Sequence, residues 1–114
     1  MSKLDEKIAS YQEESKKLGL DLPADLIEKV TKGLGPSIYN KDSETVACSQ
    51  KNEMETVKKN FLQKKLGLTD DDSTLDAAIQ EVCEKMGSKN PAKKRALFYA
   101  LLAQKFGKES VYNA

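Results

Sequence analysis

Five blocks of apolar residues, each repeating at helical spacing and each followed by a glycine, constrain the fold of this chain most strongly. Apolar residues three or four positions apart share one helix face, and glycine takes the left-handed conformation that ends a helix. The terminating glycines are Gly19, Gly33, Gly67, Gly87 and Gly107. Because no alternating pattern is long enough for a sheet, the sequence predicts an all-α fold, a compact bundle of about five helices.

Local signals place the helix starts and the centre of the bundle. The predicted starts are Ser2, Pro23, Ser49, Asp72 or Ser73, and Asn90 followed by Pro91. The stretch 96–103 is apolar on all sides, which is typical of a surrounded helix. We therefore place the fifth helix, residues 91–106, at the centre, with a dimer contact on one of its faces as the alternative.

One irregular connection, residues 33–48, separates the second and third helices. Gly35 precedes Pro36, and a residue before proline is disfavoured from taking the α-helical conformation. We expect one short helical turn from Pro36 to Tyr39. Residues 40–43 are predicted to be a loop, and residues 45–48 fit a short helix and an extended piece equally well. All 114 residues suit a single helical domain, residues 1–114.

The absence of histidine restricts the chemistry of the chain. Serine and cysteine nucleophile systems that depend on histidine are excluded, and the commonest metal ligand is missing. The spacing of Cys48 and Cys83 matches no zinc or redox motif. We expect Cys83 to be a small core residue and leave a disulfide with Cys48 open. No metal or cofactor site is predicted.

The connection carries the densest cluster of hydrogen-bonding side chains outside a regular helix. Its members are Ser37, Tyr39, Asn40 and Asp42. Irregular connections often carry binding residues, so these four side chains are the first candidates if the chain has a small-ligand or enzyme site. The interpretation we favour is that the Tyr39 ring packs inward while Asn40 and Asp42 bond to turn backbone. A phosphate loop is disfavoured, since the glycines follow a helix and no Lys-Ser/Thr pair comes next.

The net charge is only +1, but the segment 87–114 has six basic residues and one acidic residue. Lys93, Lys94 and Arg95 open the predicted fifth helix, where positive charge opposes the helix dipole. A second group, Lys58, Lys59, Lys64 and Lys65, lies on the third helix. Nucleic-acid binding through residues 93–95 is an alternative function, although the single arginine of the chain argues against base reading.

No segment has the pattern of a membrane span or a secretion signal. The longest apolar run, 96–103, is far shorter than the ~20 residues that a span needs. The first seven residues carry charges of both signs and no apolar stretch, unlike a signal peptide. We therefore expect a cytoplasmic protein that does not bind membranes.

The middle and end of the chain resemble a small uncharacterised bacterial family, domain of unknown function 2853. The similar segments are GPSIYNKD (35–42), ETVKKNFLQKKLGL (55–68), FY (98–99) and FGKESVY (106–112). The resemblance spans roughly residues 23–112 and contains no catalytic signature. It implies a compact bacterial cytoplasmic protein and supplies no activity or functional residue.

The residues therefore favour a non-enzymatic protein-interaction domain. The apolar fifth helix, the aromatic residues near it and the lack of a catalytic set support this hypothesis. The predicted partner is an unknown protein or a second copy of the chain in a homodimer.

Overall fold

The computed structural model describes residues 3–87 and 93–112. The α-helices in these ranges are α1 Lys3–Leu18, α2 Ala24–Leu34, α3 Lys41–Glu44, α4 Lys51–Thr56, α5 Asp72–Lys85 and α6 Arg95–Lys105. A π-helix, Val57–Lys65, continues α4, and 3-10 turns cover Gly35–Tyr39 and Glu109–Tyr112. The short strands β1, Thr45–Val46, and β2, Lys93–Lys94, pair antiparallel. The predicted all-α compact array is confirmed, with this small ladder added.

Helix α6 lies at the centre of the fold, as the sequence predicts. The side chains of Leu97, Phe98, Ala100 and Leu102 have no solvent exposure. Helices α1, α2, α3 and α5 all contact α6, so the chain's own elements cover it. The predicted cap Asn90 and first residue Pro91 lie outside the described residues, and the helix itself begins at Arg95.

Three predicted helix boundaries are wrong by one or two residues. Helix α2 continues through Gly33 to Leu34 and ends where Gly35 takes a φ of 64°. Helix α4 begins at Lys51 with Gln50, and not Ser49, in the cap position. Helix α5 is capped by Asp71, whose carboxylate accepts a 2.9 Å hydrogen bond from the Thr74 backbone N–H.

The connection 33–48 contains more regular structure than predicted. The helical turn ending at Tyr39 is confirmed as a 3-10 turn. The predicted loop 40–43 is wrong, because residues 41–44 form α3, whose Glu44 N–H donates to the Asn40 carbonyl at 2.7 Å. The ambiguous segment is extended at Thr45–Val46, where β2 supplies a hydrogen-bonding partner.

A disulfide joins Cys48, just after β1, to Cys83 on α5. The two Cα atoms are 6.2 Å apart, within the range that a disulfide spans without moving the backbone. Cys83 is 4% exposed, which confirms its predicted place in the core. The pairing that the sequence left open is therefore present.

No helix of the described residues has both the length and the apolar character needed to cross a membrane.

Candidate functional site

The Tyr39 side chain projects from the 3-10 turn that follows α2. It is 48% exposed. Among the described residues, the other large apolar side chain that is exposed is Leu18, at 37%. The expectation that the Tyr39 ring packs inward is therefore wrong. Its neighbour Asn40 is also exposed. The side chains of Ser37 and Asp42 lie outside what the structure describes, so the predicted four-residue ligand cluster stays a prediction.

Glu44 lies at the end of α3 and ties this region to α1. One oxygen, Oε2, accepts a 2.6 Å bond from Lys7 Nζ and a 2.6 Å bond from the Tyr11 hydroxyl. Burial raises the pKa of Glu44. The hydrogen bonds from Lys7 and Tyr11 act in the opposite direction and outweigh burial, so the net pKa is below 4.5. Glu44 is thus a charged anchor between α1 and α3.

Tyr11 lies beneath this anchor and is 1% exposed. Burial, followed by the hydrogen bond to Glu44, raises the pKa of the Tyr11 hydroxyl far above 10.0. The charges of Glu44 and Glu14 add to that rise. Tyr11 therefore acts as a neutral hydrogen-bond donor to Glu44, and α3, which carries Glu44, contacts the 3-10 turn that ends at Tyr39.

Arg95 joins the same region to α4 and α6. Its guanidinium donates to the carbonyls of Ser43, at 2.6 Å, and Thr45, at 3.2 Å, and to Glu53 Oε1. A further N–H donates to the Tyr99 hydroxyl at 3.0 Å, and the Tyr99 ring stacks on Phe61 with centroids 4.0 Å apart. Burial lowers the pKa of Arg95, but Tyr99 and Glu53 raise it more, so the guanidinium stays charged.

The structure places the three basic residues predicted to contact nucleic acid in different surroundings. Lys93 is only 6% exposed, Lys94 is partly exposed, and both belong to β2. The Arg95 side chain is bonded to its own chain as described above. The prediction that all three residues open the fifth helix is wrong, because Lys93 and Lys94 form β2 and only Arg95 lies in α6.

Lys58, assigned from sequence to a second basic group, is also buried. It is 4% exposed. Its Nζ lies 3.1 Å from Glu55 Oε1, 3.2 Å from Asp76 Oδ1 and 3.9 Å from Asp72 Oδ1. The hydrogen bond to Glu55 is the largest cause of a raised pKa, so Lys58 is charged and serves as a bridge between the π-helix and α5. The sequence did not predict that Lys58 forms ion pairs inside the fold, because spacing along the chain does not show which helix packs against it.

Two open surface grooves are described near the polar clusters. One, of about 510 Å³, is lined by Cys48, Ser49, Lys51, Met54, Glu55, Asp76, Ile79 and Gln80. The other, of about 430 Å³, lies between α1 and the start of α2. Neither is lined by residues 35–42. Within the described ranges, no three cysteine or acidic residues converge in a way that would hold a metal ion.

Together, the helical array and its internally bonded charges define a small all-α domain whose most distinctive exposed feature is an aromatic side chain. Comparison with known families matches residues 10–110 to the family described as protein of unknown function (DUF2853). The chain belongs to this family, as the sequence resemblance predicted. Comparison with curated proteins finds no match.

Proposed function

We propose that this protein is a non-enzymatic interaction domain that binds another protein through the surface around Tyr39. The observation that carries the proposal is the 48% exposure of Tyr39 on a turn that packs against α3. Tyrosine combines a large apolar ring with a polar tip and is enriched among the residues that dominate binding energy. An exposed tyrosine is therefore a suitable centre for a contact.

The polar cluster around Glu44 supports the proposal because it holds α3, which contacts the turn that carries Tyr39. Glu44 fixes α3 to Lys7 and Tyr11 of α1, and Arg95 fixes the carbonyl groups on either side of it. A surface that is already ordered loses less conformational entropy when a partner binds. The turn that carries Tyr39 therefore lies against a helix, α3, that is bonded to α1.

A different protein is favoured over a second copy or a nucleic acid. The homodimer hypothesis rested on an apolar face of α6, and the chain's own helices bury that face. The nucleic-acid hypothesis rested on Lys93, Lys94 and Arg95, of which Lys93 is buried and Arg95 is internally bonded. Both remain alternatives that use other surfaces.

Site-specific photocrosslinking tests the proposal. A photoreactive phenylalanine analogue at position 39 should capture a defined protein in cells, whereas the same analogue at position 18 should not. Leu18 is the matched control, because it is also exposed and lies two turns beyond Tyr11 on α1. With the captured partner purified, Tyr39→Ala should weaken binding by at least about tenfold, as expected of a binding hot spot. Equal affinity of Tyr39→Ala and Leu18→Ala would refute the proposed surface.

Light scattering separates the homodimer from the proposed heterologous contact. We expect the 12.7 kDa mass of a single chain over a wide concentration range. A doubled mass that Tyr39→Ala returns to 12.7 kDa would assign the same surface to self-association. A mobility shift with DNA or RNA that is lost on reversing the charge of Lys94 would instead favour the nucleic-acid alternative.

A further inference from the structure

The Cys48–Cys83 disulfide joins two elements with very different surroundings. Cys48 lies on the tight turn after β1, where the Gln50 N–H donates to the Ala47 carbonyl at 3.0 Å. Cys83 lies on the buried face of α5, where its sulfur is 4.0 Å from Met54 Sδ. The bond therefore connects a surface turn to the core.

The two cysteines of the disulfide differ in their exposure to solvent. Cys48 is partly exposed and lines the groove of about 510 Å³ together with Ser49 and Lys51. Cys83 is 4% exposed. Thiol–disulfide exchange requires an attacking thiolate to reach one sulfur along an open path, and access decides which sulfur is attacked. The groove offers that path at Cys48.

The elements at both ends of the disulfide have other attachments. Helix α5 buries Leu75, Ile79 and Val82, and ion pairs link Asp76 to Lys58 and Glu81 to Lys105. Strand β1 is paired with β2, and Arg95 bonds the Thr45 carbonyl. The turn 47–50 has fewer such attachments among the described contacts. When the disulfide is opened, the turn loses its link to α5, whereas β1 and α5 keep the attachments named above.

We propose that Cys48–Cys83 is a reversible thiol–disulfide exchange site whose substrate is an external thiol, either a small thiol or a protein dithiol. A thiolate attacks Cys48 Sγ, the Cys48–Cys83 bond breaks, and its electron pair leaves on Cys83 Sγ, which then takes a proton. A second thiol attacks the external sulfur of the mixed disulfide and releases Cys48. Two external thiols are oxidised to one disulfide, and the protein gains two thiols, so atoms and electrons balance.

The position of attack can be determined with glutathione as the probe. Mixed disulfides formed in millimolar reduced glutathione are trapped by alkylating all free thiols with N-ethylmaleimide, and the protein is then digested with trypsin. Cleavage after lysine places Cys48 in peptide 42–51 and Cys83 in peptide 66–85. We expect the glutathione adduct on peptide 42–51. An adduct mainly on peptide 66–85, or no reaction in the folded protein, would overturn the proposal.

Hydrogen exchange measures the consequence for the fold. Reduction should raise amide exchange in residues 47–50 by at least about tenfold, as for a local opening, while amides of α6 stay protected. The double variant Cys48→Ala and Cys83→Ala should show the reduced pattern and no response to glutathione, which makes it the control. Global unfolding on reduction would show a permanent structural bond, and unchanged exchange in 47–50 would show that the bond controls nothing; both overturn the proposal.

The outcome is independent of the proposed contact at Tyr39. Loss of partner binding in Tyr39→Ala with normal glutathione chemistry supports both inferences. Normal partner binding in that variant refutes the Tyr39 surface and leaves the exchange site unaffected.

Discussion

Arg95 is the side chain that connects the largest number of separate segments in the described contacts. Its guanidinium bonds two carbonyls beside β1, a carboxylate of α4 and a hydroxyl of its own helix. Guanidinium presents five donors in a planar fork, so one side chain can satisfy acceptors that approach from several directions. The positive charge at the start of α6 opposes the helix dipole, but these partners offset that small cost.

Removing the Arg95 side chain should therefore destabilise the protein. Breaking one partner of a fully buried ion pair costs roughly 3–5 kcal/mol, and the partial exposure of Glu53 reduces our expectation for Arg95→Ala to about 2–3 kcal/mol. Urea unfolding measures the change. Glu53→Gln is the matched control, because it keeps an acceptor and should cost only about 1 kcal/mol. A loss for Arg95→Ala no larger than that of Glu53→Gln would contradict a multi-segment role.

Glu44 gives a prediction about pH. Its folded-state pKa is lowered, so folding favours the carboxylate, and the stabilisation is complete above pH 4.5 and lost as pH falls through the folded-state pKa. At pH 7, Glu44→Gln should cost about 1.5–3 kcal/mol, as for hydrogen bonds to a charged group. Urea unfolding of both proteins from pH 7 to pH 3 should show this difference shrinking below pH 4.5. A difference that is constant with pH would mean that the charge contributes nothing.

At this scale, the sequence identified side-chain types but not their partners. Lys93 and Arg95 were interpreted as one solvated basic stretch, because a long basic side chain is usually exposed. Their actual partners come from segments about 50 residues away in the chain, such as Thr45. Such pairings depend on the tertiary fold, so local spacing could not predict them. Tyr39 stays a predicted site residue, and its exposure could not be predicted from local spacing.

Among the elements, the sequence predicts helices well because apolar spacing and glycine stops are local signals. It fails where the backbone departs from the α-helix. The Leu66 N–H bonds to the Phe61 carbonyl, five residues back, which widens the turn of the π-helix. Val57, Phe61 and Leu62 fit a helical stripe of either type, so their spacing alone could not reveal the change. The pairing of β1 with β2 was equally hidden, since each strand has two residues.

The end of α2 provides a test at the scale of one element. Gly35 has φ 64° and ψ −140°, a combination that side chains disfavour, so Gly35→Ala should cost about 1–3 kcal/mol. Gly33 is inside the helix, where alanine is favoured by up to about 1 kcal/mol. A Cβ there would lie 3.3 Å from Tyr112 Cε1, so the gain should be small. Urea unfolding of both variants measures the change in the free energy of unfolding. A larger loss for Gly33→Ala than for Gly35→Ala would contradict a helix end at Gly35.

In the molecule as a whole, α6 lies at the centre of the core, and cross-links besides those of Arg95 hold outer elements to one another. Glu44 joins α3 to α1, Lys58 joins the π-helix to α5, and the disulfide joins the turn after β1 to α5. The apolar pattern in the sequence predicted the core and the central position of α6. None of the cross-links was predicted, because each connects elements whose relative position is set only when the core packs.

The disulfide should add stability without being required for folding. It closes a loop with a sequence separation of 35 residues, and restricting the unfolded chain by such a loop is worth about 4 kcal/mol in the chain-entropy treatment. The variant with Cys48→Ala and Cys83→Ala should lose about 3–4 kcal/mol in urea unfolding and still unfold cooperatively.

The physical reason for expecting a folded variant is that the other side chains of the buried core, including those of α6, do not depend on the disulfide for their apolar contacts. Alanine at position 83 also leaves the core smaller by one sulfur atom, so part of the loss will be packing and not chain entropy. The two contributions are separated by measuring Cys83→Ala and Cys48→Ala, each with reductant and each relative to the reduced wild-type protein, because none of these three proteins has the bond. The losses of the two single variants then report packing alone. The entropic account requires that their sum is well below the loss of the double variant relative to the oxidised wild-type protein. If that sum accounts for the whole loss, the contribution of the disulfide lies in packing, and loop closure is not its basis.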